Sequence, residues 1–388
     1  MWDAHAWHRL AALLGVTGML PAQLTTIVQG GGAALQAAIN AAAPGDVLDV
    51  FAGSYSPVSC TKGLRISLRA GADVGVGSGT VGLTVTGIPA NETFVVEGAG
   101  HLNGVAANQN AGSVVVDRVA AWNFHTMPID ACTGPVVFHE TDFGGSGTWG
   151  FGSIVVSNCS QVSFASCVRM PQVQVTNSSV CLSDSTVVPA GVPAPGLQVS
   201  SGNVTIQGGF VTGVDGVFVS SSSPAIRIDA GELVATGGAI LQAFQLGAAG
   251  PAPGMLANGG TIRLDPSVTV LGTPPISGPG LVITTPIPSL AVAHTTNTMN
   301  VSIAAPPGSA VFTLAGLPVA AMPTPWGEAW LLPSDPILDV AILPASGTSS
   351  FARTFAAVPP WFVLVVQSVA WTPAGALVVG APVRFAWN

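Results

Sequence analysis

Between about Ser113 and Leu271 the sequence repeats one unit: a short apolar strand, a small polar corner and a second short strand. Ile154 to Phe164 and Val173 to Leu182 are the clearest copies. Leu197 to Ile206 and Ile226 to Ala235 follow the same template, and Ile262 to Val270 is a shorter version. Val114 to Asp117 and Val136 to His139 match its first half. Units start at 114, 136, 154, 173, 197, 226 and 262, so the intervals are 22, 18, 19, 24, 29 and 36. A period of about 20–50 residues marks a solenoid, propeller or array, because each unit buries its apolar face only against its neighbours. An antiparallel sandwich with Gly-rich turns is the competing reading. The shared corner chemistry at one offset after the strand (Ser-Asn, Thr-Asn, Ser-Ser, Asp-Ala) favours the solenoid. Ile154, Val173, Leu197 and Ile226 are then expected to form one inward ladder, and Val156, Val175, Val199 and Ile228 the next. Successive coils should lie about 4.8 Å apart.

Upstream, Ala33 to Ser56 reads as a short helix, a turn, a strand and a corner. Leu35, Ile39 and Ala42 recur at helical spacing. Pro44-Gly45-Asp46 stops the helix, since Pro lacks an N–H and Gly tolerates positive φ. Val47, Leu48, Val50 and Phe51 follow as a strand, and Tyr55 is the only tyrosine of the chain. This order resembles the amino-terminal cap of right-handed parallel β-helices of the pectate-lyase-like superfamily. The fold expected is therefore all-β: a right-handed parallel β-helix with an amino-terminal cap helix, over residues 23–285.

Near residue 272 the composition shifts, and beyond about Leu290 the repeat is lost. Strands are expected at Met299–Ile303, Ala310–Leu314, Ala329–Leu332, Ile337–Ile342, Phe362–Ala370 and Ala376–Phe385. Trp326, Trp330, Trp361, Trp371 and Trp387 place five of the nine tryptophans here. Residues 286–388 read as a small antiparallel β-sandwich. Pro359 to Ala370 and Leu377 to Phe385 resemble a carboxy-terminal module of secreted bacterial proteins, which implies no catalytic motif.

Charged residues are only 7% of the 388, against about 25% in ordinary soluble domains. A solenoid held by main-chain hydrogen bonds and stacked apolar side chains needs few charges. Hydrophobic residues at 48% exclude a disordered chain despite 48 Gly and 31 Pro. The net charge is −8, with no basic run, which disfavours nucleic acid and anionic membrane surfaces as partners. Residues 1–22 are expected to be a secretory signal. Arg9 precedes an apolar run from Leu10 to Leu20 that is too short to span a bilayer, and Ala22 suits cleavage. The alternative is a buried amino-terminal helix. Cys60, Cys132, Cys159, Cys167 and Cys181 contain no C-x-x-C pair, and spacing does not assign disulfides.

Aligning the repeat puts Asp117, His139, Ser157, Thr176, Ser200, Asp229 and Asp265 at one outward position. One residue on, Arg118 and Glu140 stack, and Asp142 follows. A cluster of Asp117, Arg118, His139, Glu140 and Asp142 is therefore expected on neighbouring coils, with His125, Asp130, Trp122 and Trp149 nearby. Five charged or titratable groups within 26 positions is dense for this chain. The superfamily resemblance implies carboxylates that act as acid and base, or that hold Ca²⁺ while an arginine removes a proton. The cluster matches no family motif residue by residue. A surface ladder with an Arg118–Glu140 ion pair explains the same residues. Two functions follow. One is an exported, non-catalytic β-helix of the cell surface or matrix that contacts glycans. The other is a polysaccharide lyase or glycoside hydrolase, which alone would call for Ca²⁺; no other cofactor is indicated.

Overall fold

The computed structural model describes residues 23–75, 77, 79–121, 126–144, 152–189, 194–213, 222–244, 251–295, 297–317, 322–324, 327–332, 335–355 and 362–387. The expected signal segment and Trp122, His125, Trp149, Trp326 and Trp361 lie outside the described residues. Among those described, no helix is long and apolar enough to cross a membrane.

Residues 25–284 wind into a parallel β-helix with three faces. A twelve-stranded parallel sheet, the long sheet, runs from Thr25–Val28 to Leu281–Thr284, one strand per coil. A second parallel sheet of ten strands runs from Val58–Cys60 to Ile276–Ser277. Two four-stranded sheets make the third face, joined through single bridges at Ala120, Asp142, Val168, Met170 and Val187. In each coil the chain passes from the second sheet to the long sheet and then to the third face.

Alternation within each strand builds the interior. Ile154, Val173, Leu197 and Ile226 pair in register on the second sheet, and so do Val156, Val175, Val199 and Ile228. All eight are buried. Phe138, Phe143 and Phe164 fill the space between faces, with the Phe138 and Phe164 rings stacked at 5.0 Å and 13°. Corners turn through left-handed backbone at Asn158 and Asn177 after the second sheet. After the long sheet the same turn falls on Arg118, Glu140, Ser166 and Asp184, then on Gly208 and Gly237. Glycine adopts this conformation without a Cβ clash, whereas the other four carry a strain that the stacked coils hold in place.

At the amino-terminal end a helix, α1 (Ala34–Ala41), buries Leu35 and Ile39 over the first coil. Asp46 closes its turn by accepting the Ala43 amide at 2.8 Å and the Leu24 amide at 3.2 Å. The buried Tyr55 hydroxyl donates to the Phe51 carbonyl at 2.8 Å. The strand ends at Val50, and Phe51 is exposed beyond it.

Antiparallel sheets follow. Ser289–His294, Thr298–Ala304 and Thr348–Thr354 form one. Ile337–Ile342, Ala310–Gly316, Phe362–Trp371, Leu377–Val379 and Val383–Trp387 form the other. Leu290, Met299, Val301 and Ile303 of the first pack on Val311, Leu338, Leu364, Val366 and Ala370 of the second, giving a sandwich core. The expected strand Ala376–Phe385 is two strands, broken at Gly380 to Pro382, where Pro cannot donate to the ladder. Gly327–Ala329, in place of Ala329–Leu332, pairs among the described residues with Met322–Thr324.

The sandwich sits on the outer face of the long sheet. Val95, Val115 and Val137 form an outward row across three coils and pack with Val363. Further along, Cys181 packs with Trp330, Leu331 and Val365. Polar groups tie the same contact. Glu328 accepts hydrogen bonds from Asn203 Nδ2 at 2.7 Å, Ser179 Oγ at 3.1 Å and Trp330 Nε1 at 2.8 Å. Arg384, fully buried, lies over the Trp330 ring at 4.6 Å and donates to Gln161 Oε1 at 2.9 Å. Its Nε and Nη1 have no hydrogen-bond partner among the described residues. Burial draws the Arg384 pKa down to about 9.

Candidate functional site

The seven residues aligned at one outward position fall on two faces. Asp117 and His139 stand on the long sheet, in register with Glu97 on one side and Ala165 on the other. Ser157 and Thr176 stand on the second sheet, in register with Asp130. Asp229 closes a strand of the second sheet, and Asp265 one of the long sheet. Each coil carries two strand-and-corner units of similar composition, so a one-unit template superimposes both faces.

On the long sheet, charged side chains link coil to coil. Arg65 Nε donates to Glu97 Oε1 at 2.5 Å, and Glu97 Oε2 lies 4.0 Å from Arg118 Nη2. Arg118 Nε donates to Asp117 Oδ2 at 2.8 Å. His139 Nδ1–H donates to Asp117 Oδ1 at 2.7 Å. His139 Nε2 is 3.9 Å from Glu140 Oε1, an exposed carboxylate. Arg118 and Glu140 stack at corresponding corners, but Arg118 pairs with Asp117 and Glu97.

Asp142 departs from the group. It turns onto the third face, where Arg169 holds both its oxygens, through Nε at 2.8 Å and through Nη2. Asp130 is on the second sheet, engaged by Ser157 and Asn158. The structure thus brings together Asp117, Arg118, His139 and Glu140, and not Asp142 or Asp130.

One further residue joins the group, and a second feels its charges. Glu97 is buried between Arg65 and Arg118. His294, at the end of the sandwich strand Ser289–His294, carries a pKa pushed down by burial and by the His139 charge, against the pull of Asp117 and Glu140. No repeat position pointed to His294, because it reaches the group from the other domain. The outward valines Val115 and Val137 were signalled by the continuous runs Val114 to Val116 and Val136 to Phe138. An unbroken apolar strand is one buried on both faces.

The arrangement limits its own chemistry. Asp117 is 1% exposed and both its oxygens are occupied. It orients His139 and neutralises Arg118, and its burial keeps it from solvent. Among the described residues no three His, Cys, Asp or Glu side chains are grouped to hold a metal ion.

The first sandwich strand crosses the coils. Thr236 Oγ1 donates to the Ile287 carbonyl at 3.2 Å, and His294 is coupled electrostatically to His139. Beside this strand runs a cleft of about 420 Å³, lined by Asp184, Gln207 and Gly208 of the solenoid and by Ser289, Ser302 and Ser350 of the sandwich. Burial raises the Asp184 pKa above the ordinary carboxylate value. No protein-family model matches the chain, and no curated protein is significantly similar to it.

Proposed function

We propose that the chain is an exported parallel β-helix of the pectate-lyase-like kind that acts by contact and not by catalysis, receiving an uncharged glycan in the cleft between solenoid and sandwich. The observation that carries this reading is the seat of the sandwich. The outer face of the long sheet is buried under Val363, Val365 and Trp330. Of the carboxylates expected in one cluster, Asp117 lies beneath His139 and Arg118, and Asp142 is held apart by Arg169. What stays open is the cleft at Gln207, Ser289, Ser302 and Ser350, whose hydroxyl and amide groups suit sugar hydroxyls. A net charge of −8 opposes a polyanion there.

Affinity electrophoresis of the full chain in gels containing a neutral glucan, a mannan or polygalacturonate tests the reading. Retardation is expected in a neutral gel and lost in Ser302→Trp, which fills the cleft from an exposed position. Equal mobility in all gels, or retardation only by polygalacturonate, overturns it. A second reading, a lyase or hydrolase, is favoured only by the Asp117–His139 pair, with Glu140 as the exposed carboxylate.

A further inference from the structure

Cys132 and Cys159 occupy the same place on successive coils. Ile129 pairs with Val156 and Asp130 with Ser157, so each cysteine lies two residues past the end of its strand. They belong to a buried corner ladder between the second and long sheets. Asn110 Nδ2 donates to Cys132 Sγ at 3.6 Å, and the Cys159 amide donates to Ser178 Oγ at 3.0 Å. Each thiol also bonds back to the preceding coil. Cys132 Sγ donates to the Ala107 carbonyl at 3.5 Å, and Cys159 Sγ to the Ile129 carbonyl at 3.4 Å. The Cys159 sulfur therefore sits toward the coil of Cys132 and accepts the Cys132 amide at 3.4 Å. Coils spaced about 4.8 Å apart put the two Cα atoms inside the range of about 4.4–6.8 Å that a disulfide spans.

The remaining cysteines have no such neighbour. Cys60 pairs with Val85, Cys167 stacks on Ser185, and Cys181 lies between Ser163 and Thr205. All five are thiols in the structure.

We infer that Cys132 and Cys159 are a redox pair that closes into one inter-coil disulfide when the protein meets an oxidising disulfide, leaving Cys60, Cys167 and Cys181 as thiols. One thiolate of the pair attacks a sulfur of the oxidant, for example oxidised glutathione, and displaces one glutathione thiolate. The second protein thiolate attacks the protein-side sulfur of the mixed disulfide and displaces the other. Two protein thiols lose two protons and two electrons, and the oxidant leaves as two thiols. The step needs a rotation of Cys132 about χ1, from the Ala107 carbonyl toward Cys159.

Two observations separate this pair from the other cysteines. Cys159, itself 2% exposed, borders a shallow surface cleft with Asn158, Ser160, Asn177 and Gly202, so the corner has to open there for the oxidant to reach the sulfur. The two thiols are coupled, with the Cys132 pKa drawn down by its Cys159 neighbour and the Cys159 pKa pushed up by Cys132 and by burial. Burial instead pushes Cys167 and Cys181 up to about 12. The pair is independent of the glycan reading.

The test uses the full chain, purified reduced and then incubated native with oxidised glutathione. Remaining thiols are alkylated and the digest is read by mass spectrometry. The expected product carries one Cys132–Cys159 link and alkylated Cys60, Cys167 and Cys181. Five alkylated cysteines, stable glutathione adducts at this pair, or a link through any other cysteine overturns the inference. Cys132→Ser and Cys159→Ser should fold, since Ser178 fills the next place of the same ladder, and each should abolish the link. A disulfide that persists in either variant also overturns it.

Discussion

Replacing Trp330 by alanine should release the sandwich from the solenoid while the solenoid stays folded. The Trp330 side chain is fully buried at the contact. It packs with Cys181, Leu331 and Val365, carries Arg384 over its ring at 4.6 Å and donates Nε1–H to Glu328 at 2.8 Å. Truncating a buried aromatic residue costs about 3–5 kcal/mol, and losing the aromatic face beneath a buried guanidinium adds about 0.5–2 kcal/mol. Together they amount to about 3.5–7 kcal/mol, much of the roughly 5–15 kcal/mol that holds a domain folded. Cys181 reports the opening, because its thiol is buried under the sandwich and donates to the Pro382 carbonyl at 3.2 Å. Residue-resolved alkylation at low denaturant should speed up at Cys181 by several hundredfold or more, since about 1.4 kcal/mol is tenfold. Cys167, inside the solenoid, should keep its wild-type rate. Trp330→Phe keeps one aromatic ring but loses the pyrrole half of the indole and its bond to the carboxylate, the bond alone worth about 1.5–3 kcal/mol, so it should fall between. An unchanged Cys181 rate in Trp330→Ala, or equal acceleration at Cys167, would refute the two-part reading of the contact.

Other perturbations test separate parts of the structure. Glu328 has a folded pKa raised above 4.5 by burial. The folded state therefore holds its proton where the unfolded chain has lost it, and stability falls as pH rises from about 4.5 through the raised value. Glu328→Gln should flatten that slope, read as the difference in urea midpoints between variant and wild type across this window. A slope identical in the two proteins would contradict the assignment. Phe164→Ala opens a cavity in the stack with Phe138 and Phe143 and should cost about 3–5 kcal/mol in a urea titration, with Phe164→Leu costing less.

The solenoid was legible because its interior obeys one rule on every coil. Ile154, Val173, Leu197 and Ile226 repeat in the sequence as they stack in space. The allocation of units to faces was not, since nothing local separates Val114 to Asp117 on the long sheet from Ile154 to Ser157 on the second. That ambiguity misplaced Asp130 and Asp142 relative to Asp117. The strand Thr348–Thr354 went unread because its alternation is almost wholly polar, with Phe351 the one large apolar residue. Glu97 and His294 were invisible for a different reason. Their place in the site depends on coil register and on the docked sandwich, and both are long-range properties.

Asp117, Arg118, His139 and Glu140 form an inter-coil ladder of charged groups, which the proposed function takes as non-catalytic. The direct measurement is turnover of the full chain on a panel of acidic and neutral polysaccharides, with and without Ca²⁺, following unsaturated products and reducing ends. Rates equal to the blank, and unchanged in Glu140→Gln, are predicted. Cleavage that disappears in Glu140→Gln while the variant keeps the wild-type urea midpoint would contradict it.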